Sequence, residues 1–369
     1  MNSQQPALSE DLFREPEAAA QRATVLFPLP LFQTFDYLYD GPETLEPGVF
    51  VRAPFGPREV IGVVWPQSGA AAPAAEKLKK IAGPCDAPPL AADIIDFVEW
   101  AARYTMSPLG SVLRLVMRAG DAVASPKLVK LFEAAGAPPE RMTPQRQAVL
   151  RAMEDGPKSA AALAQAAGVT DGVVRGLAKA GALRAMMVDP DPPFEPPDLS
   201  RKGADLSADQ TAALNKHAEA IAENRSGAVL IDGVTGSGKT EVYLEAIARA
   251  LRADEAAQAL ILIPEIALTL PFLKRVEERF GAAPAPWHSG MSGAQRRRVW
   301  RRVADGGARL VVGARSALFL PFQRLKLVVV DEEHDGAYKQ EDGVIYHARD
   351  LAVARGARAG FPVVLASAT

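Results

Sequence analysis

The sequence predicts a multidomain chain: a small β-rich module, then a three-helix domain of winged-helix pattern, then an α/β domain built on a parallel sheet. Three observations lead there. From Leu206 onward, apolar strand-length runs alternate with helical spacing, which calls for a parallel sheet covered by helices on both faces. One strand-to-helix junction in that stretch reads Gly233-Val234-Thr235-Gly236-Ser237-Gly238-Lys239-Thr240. Ahead of it, Pro190–Pro197 carries Asp-Pro-Pro-Phe-Glu-Pro-Pro, a stiff, extended linker and the clearest boundary in the chain.

Taken in order, residues 1–22 are polar and acidic and read as a mobile tail. Residues 23–120 form the first module. Its strands are Thr24–Phe27, Phe35–Tyr39, Val49–Arg52 and Val60–Trp65, separated by Pro- and Gly-bearing turns. Ile94–Met106 has helical spacing, and a second helix starts near Leu109. Residues 140–189 hold three short helices, Pro144–Met153, Ser159–Ala167 and Thr170–Lys179, followed by an apolar stretch to Val188. Helix, helix–turn–helix and a small hairpin make a winged helix, and a plain all-α spacer fits the same alanine-rich pattern. The third helix offers only Arg175 and Lys179 on its polar side, so a spacing role outweighs reading of DNA bases. The linker spans 190–205, and the α/β domain spans 206–369. Its strands are Ala228–Asp232, Ala259–Pro264, Arg309–Gly313, Leu325–Asp331 and Pro362–Ala366.

Chemistry concentrates in that last domain. In the glycine-rich turn, Gly233, Thr235, Gly236, Ser237 and Gly238 bring main-chain N–H groups close to a polyphosphate at a helix start. Lys239 reaches the β- and γ-phosphates, and the Thr240 hydroxyl takes one position on Mg²⁺. Downstream, the run Leu327–Val330 ends in Asp331-Glu332-Glu333-His334. A carboxylate just past a strand sits at the sheet edge where the phosphates lie. Asp331 then holds Mg²⁺ through water, Glu332 orients the attacking water, and His334 relays nucleotide state to its neighbours. An Asp-Glu pair after a strand is otherwise a solvated turn; a phosphate loop in the same sheet favours catalysis.

Four further features point to a nucleic-acid motor rather than a kinase or small GTPase. Pro264–Thr269 follows a strand and opens a helix, so that Thr269 meets a backbone phosphate. Gly313-Ala314-Arg315-Ser316 repeats the arrangement, with Arg315 and Ser316 as contacts. Arg296–Arg302 is the densest positive patch, either a phosphate contact or a solvated helix face. Ser367-Ala368-Thr369 ends a strand where a motor couples nucleotide state to movement of the bound strand.

Asp331–His334 with Ser367–Thr369 resembles motifs II and III of superfamily 2 DExH helicases. Leu206–Gln210 resembles their adenine-recognising segment, which implies Gln210 as the base reader and a RecA-like helicase lobe. Asp232–Tyr243, Val312–Ala317 and Tyr346–Ala352 are similar to the PriA family of bacterial replication-restart helicases. Thr34-Phe35-Asp36-Tyr37 and Val51–Gly56 resemble that family's 3′-DNA-end-binding domain. The resemblance implies an ATP-driven, 3′-to-5′ helicase using Mg²⁺. It also implies forked DNA with a 3′ end as substrate, and primosome proteins, single-stranded-DNA-binding protein and the replicative helicase as partners. Asp36 would accept a hydrogen bond from the terminal 3′-hydroxyl while Phe35 or Tyr37 packs on the last base. Tyr338 and Tyr346 are left to stack on bases where other members carry an aromatic residue near Val344. Family members continue with a cysteine-rich zinc-binding insertion and a second lobe bearing the arginine that completes the ATP site. With neither in these 369 residues, the expectation is weak ATP–Mg²⁺ binding, fork binding and no unwinding; a non-motor ATP- and DNA-binding regulator is the alternative.

Composition bounds the rest. The chain is 48% hydrophobic and carries a net charge of −2, so attraction to nucleic acid must come from local basic patches. Its one cysteine, Cys85, allows no internal disulfide and no CxxC zinc site, and fits a reducing compartment. Without a signal peptide or an apolar run of membrane length, a cytoplasmic, membrane-free location is expected.

Overall fold

The computed structural model describes residues 20–67, 78–123, 128–136, 141–222, 227–264 and 270–368. The described residues fall into two compact units, one joining the first module to the α/β domain and the other spanning Ser125–Pro192.

The first module is an antiparallel sheet of β1 (Gln21–Leu26), β2 (Phe35–Tyr39), β3 (Phe50–Phe55), β4 (Arg58–Val64) and β5 (Gly83–Pro84), in the order β2-β1-β4-β3-β5. β1 begins at Gln21, two residues inside the span read as tail, because Gln21 and Arg22 pair with Tyr39 and Leu38. Helices α1 (Ala92–Tyr104) and α2 (Leu109–Val116) follow, their apolar stripes (Ile94, Phe97 and Val98; Val112 and Leu113) wholly buried.

The separate unit contains β6 (Val129–Ala134), α3 (Pro144–Arg151), α4 (Ala160–Ala167), α5 (Asp171–Lys179) and β7 (Leu183–Val188). Thr143 and Ser159 cap α3 and α4 by accepting from the N–H groups of Arg146 and Ala162. The helices close on Val149, Leu163, Val174 and Leu177. The expected terminal hairpin is corrected: β7 pairs antiparallel with β6, which precedes all three helices, so this unit starts before residue 140. Lys158, between α3 and α4, bridges to Phe132 of β6 and extends the small sheet.

The α/β domain comprises α6 (Ala208–Ala222), β8 (Gly227–Asp232), α7 (Lys239–Ala253), β9 (Gln258–Leu262), α8 (Leu270–Phe280), β10 (Ala285–Trp287), α9 (Gly293–Ala304), β11 (Leu310–Gly313), β12 (Leu325–Val330), the small hairpin β13 (Lys339–Gln340) and β14 (Tyr346–His347), α10 (Ala348–Ala359) and β15 (Pro362–Ser367). Six strands form one parallel sheet in the order β10-β11-β9-β12-β15-β8. Five are those read from the sequence. The sixth, β10, is a three-residue edge strand with Pro286 at its centre, a place where proline is tolerated because no ladder N–H is needed. Helices α7 and α8 pack on one face through Val242, Ile247, Val276 and Phe280. Helices α9 and α10 cover the other through Val299, Trp300, Leu351 and Ala352.

That second layer is also where the first module docks. One continuous core runs from Phe50, Phe97 and Val112 of the module to Trp300, Phe319 and Val330 of the lobe. Trp300 Nε1 donates to the Val116 carbonyl at 2.7 Å, and its ring meets Phe50 edge-on. Arg301 Nη1 donates to the carbonyls of Asp86 and Ala122. Arg298 lies over the Phe194 ring, 4.4 Å from its centroid, stapling the proline-rich linker to the lobe. Arg298 and Arg301 of α9 therefore serve the joint with the linker and the module, which leaves Arg296 as the arginine of the run that lines an open cleft. Arg355 of α10 is fully buried between Phe97 and Phe322, 3.8 Å from Asp93, and burial pushes its pKa down to about 10. No described helix is long and apolar enough to cross a membrane.

Candidate nucleotide and DNA sites

At the carboxyl edge of the sheet, the turn after β8 leads into α7, with Gly236 and Gly238 in the left-handed region (φ of 83° and 81°). The positive φ of Gly238 requires glycine there, and a Cβ at that position would also push the Gln210 amide, 2.4 Å away, off the loop. Gln210 braces the loop: its Nε2 donates to the Ser237 carbonyl at 2.8 Å, and its Oε1 accepts from the Ser207 N–H at 2.8 Å. Lys239 Nζ donates to the carbonyls of Gly233 and Val234, inside the loop that Thr235 crowns.

The acidic segment meets this loop through a residue that sequence reasoning passed over. Tyr243, fully buried one turn into α7, donates from its hydroxyl to Asp331 Oδ2 at 2.9 Å, and Thr240 lies beside the same phenol. Burial raises the Asp331 pKa, the Tyr243 hydrogen bond opposes that, the nearby Glu332 charge adds to it, and Lys239 opposes it again. Burial also drives the Tyr243 pKa well upward, so the phenol stays a donor. The Thr240 hydroxyl and the Asp331 carboxylate are hard oxygen donors of the kind Mg²⁺ takes, and the Tyr243 phenol orients that carboxylate. The signal was available: Tyr243 is four residues after Lys239, one helical turn along the same face.

Glu332 adopts φ of 47°, one of two described non-glycine residues in the left-handed region, at a cost of about 1–3 kcal/mol. Its carboxylate is 3.7 Å from His334 Nε2, while His334 Nδ1 lies 3.2 Å from Ser367 Oγ. The Glu333 N–H donates to the Ala366 carbonyl at 2.9 Å, lacing the acidic segment to the end of β15. Arg349 pairs with Glu333 at 2.9 Å, offsetting the third negative charge.

Tyr338 and Tyr346 are corrected. Tyr338 has no exposed surface, and its hydroxyl, with one proton to give, lies within hydrogen-bond reach of the carbonyls of Leu262 and Asp331 at the ends of β9 and β12. Tyr346 is buried against Phe319, with ring centroids 5.2 Å apart, and burial pushes its pKa up to about 12. Neither ring is open to solvent for stacking on a base. Arg315 Nη1 donates to the carbonyls of Ala337 and Lys339, and Ser316 Oγ accepts from Trp287 Nε1 at 3.1 Å. Thr269 and Thr369 lie outside the described residues.

In the first module, strand alternation separates the predicted end-binding group. Phe35 and Tyr37 point into the aromatic core with Phe27 and Phe55, and Tyr37 Oη donates to the Pro54 carbonyl. Asp36 points the other way, accepting from Arg22 at 2.8 Å and Thr24 at 2.9 Å. Its hydrogen bond to Arg22 holds the carboxyl below the usual range, against the effect of burial. Asp36 lines a cleft of about 800 Å³ with Arg22, Gln33, Trp65 and Phe32, the last of which is 73% exposed. The exposed aromatic beside Asp36 is thus Phe32, not Phe35 or Tyr37.

Two family models match the chain: a 3′ DNA-binding domain over residues 24–118 and a DEAD/DEAH box helicase over residues 209–369. The replication restart protein PriA of Rickettsia felis is 33% identical over 349 residues, covering 94% of this chain and 42% of the relative. That of Haemophilus influenzae is 32% identical over 365 residues (94% and 48%), and that of Bacillus subtilis 43% identical over 164 residues (44% and 20%). The chain spans less than half the length of these relatives. Matched in order by an end-binding domain and a helicase lobe, and by relatives of one kind along nearly its whole length, the chain belongs to the PriA family of replication restart proteins.

Proposed function

We propose that this chain supplies the DNA-end-binding and ATP-binding parts of an ATP-dependent 3′-to-5′ DNA helicase acting in replication restart. The observation that carries this is the Tyr243–Asp331 hydrogen bond, which joins the phosphate-loop helix to the acidic segment at one sheet edge. ATP with Mg²⁺ supplies the transferable γ-phosphate and the cation that neutralises it. Lys239 and the N–H groups of Gly236–Thr240 bind the phosphates, while Thr240 and Asp331 hold the metal. Glu332, held by its strained backbone, orients the water that attacks the γ-phosphorus as the bond to the β-phosphate oxygen breaks and ADP leaves, and His334 passes the change to Ser367 and β15. Gln210 fixes the loop and reads the base from its remaining valences.

At the other site, Asp36 accepts a hydrogen bond from a terminal 3′-hydroxyl and Phe32 stacks on the last base. Fork DNA is the substrate on this reading, and other primosome proteins, single-stranded-DNA-binding protein and the replicative helicase are its partners. DNA-stimulated phosphate release by a version of the protein that carries both motor lobes provides the test. Glu332→Gln should abolish it while leaving ATP affinity within about twofold. Binding of both ligands with no Glu332-dependent turnover would identify a non-motor regulator instead.

A further inference from the structure

We propose that Arg118, contributed by the end-binding module just past α2, binds the backbone of a single DNA strand together with Arg296 and Arg315 of the lobe. This rests on the reading of Arg315 and Ser316 as backbone contacts. The three arginines line one cleft of about 450 Å³ with His288, Ser316 and Gln340, and no carboxylate lines it. Three like charges around so small a space repel one another unless an anion enters. Two of them are held in advance, Arg296 by the Ser289 carbonyl and Arg315 by the carbonyls of Ala337 and Lys339. These tethers leave further N–H groups of both guanidinium forks free to donate. Ser316 Oγ accepts from Trp287, so its own hydroxyl proton is available as well. Arg118 is exposed and makes no ion pair among the described residues.

The occupant follows from continuity. Arg118 also lines a second cleft of about 600 Å³ with Arg114, Ser107, Ser111 and the Asp342–Val344 loop. A free phosphate or a nucleotide would fill one cleft. A phosphodiester chain, with charges at regular intervals, fills both and turns at the arginine they share.

The test measures binding of an oligothymidylate with a 3′-phosphate, so that end capture at Asp36 is suppressed, to the 369-residue chain across a range of salt. Arg118→Ala should weaken binding about three- to tenfold at low salt and flatten the slope of log K against log salt by about 0.7, the value for one lost phosphate contact on a single strand. Arg118→Lys should restore the slope, and ATP affinity should not change. If Arg315→Ala moves both quantities and Arg118→Ala neither, the proposal fails while the lobe's backbone contacts stand. If neither variant moves them, both fail. Loss of inorganic phosphate binding in Arg118→Ala with an unchanged salt slope would mark a simple anion site and overturn the strand.

Discussion

Asp36, within a strand, and Asp331, just past the end of one, each accept two hydrogen bonds, yet their surroundings drive them in opposite directions. Asp36 is about a quarter exposed, with a guanidinium at 2.8 Å, and its pKa falls. Asp331 is desolvated with a phenol in place of a cation, and its pKa rises. The first is a settled anion, suited to accept from a neutral hydroxyl and to repel a phosphate. The second has only the more distant Lys239 charge against the cost of burial and gains most from a divalent cation.

Four experiments sharpen or break that contrast. Lys239→Ala has the largest expected effect, because it removes the charge facing the phosphates and Asp331 together. ATP–Mg²⁺ affinity should fall by about 2–5 kcal/mol in calorimetric titration. Tyr243→Phe takes from Asp331 the donor that favours its ionised form, at about 1–3 kcal/mol. Since the metal needs the carboxylate, the acid limb of Mg²⁺-dependent ATP binding should move to higher pH; an unmoved limb would remove Tyr243 from the site. At Asp36, forks ending in a 3′-hydroxyl should outbind 3′-phosphate forks by about tenfold, a preference that Asp36→Asn should erase. Phe32→Ala should weaken both by about 1 kcal/mol, and Phe35→Ala should act through stability alone.

The smallest effects concern stability against pH. The lowered Asp36 pKa gives stability present above about 3.8 and lost as pH falls through its folded value. The raised Asp331 pKa means that the folded chain holds the extra proton above 3.8, so stability declines as pH rises through that window. In melting curves, Asp36→Asn should flatten the acid side, and Asp331→Asn should stabilise the neutral side.

The phosphate loop, the acidic segment and five strands of the parallel sheet were legible because each couples an apolar run to a turn of restricted chemistry. Period-two alternation already implied that Phe35 and Tyr37 could not share a face with Asp36; the Phe-Asp-Tyr resemblance outweighed it. β6 escaped notice because only Phe132 of its six residues is buried and its partner lies across three helices. The α9 arginines gave no sign of their role, since their partners are main-chain carbonyls, which a sequence does not distinguish. Tyr338 sits among polar neighbours that suggested exposure, whereas its hydroxyl is turned inward to the carbonyls at two strand ends.

The joint between module and lobe also bears on how the chain is made. Trp300 closes on Val116 across 184 positions, and Arg358 pairs with Asp96 across 262. At a synthesis rate of about 5–20 residues per second, the apolar backs of α1 and α2 wait roughly ten to forty seconds for α9 to emerge. Throughout that interval the nascent module has a finished antiparallel sheet and an unfinished interior. It is then a natural client for chaperones, and heat should melt module and lobe as one cooperative block.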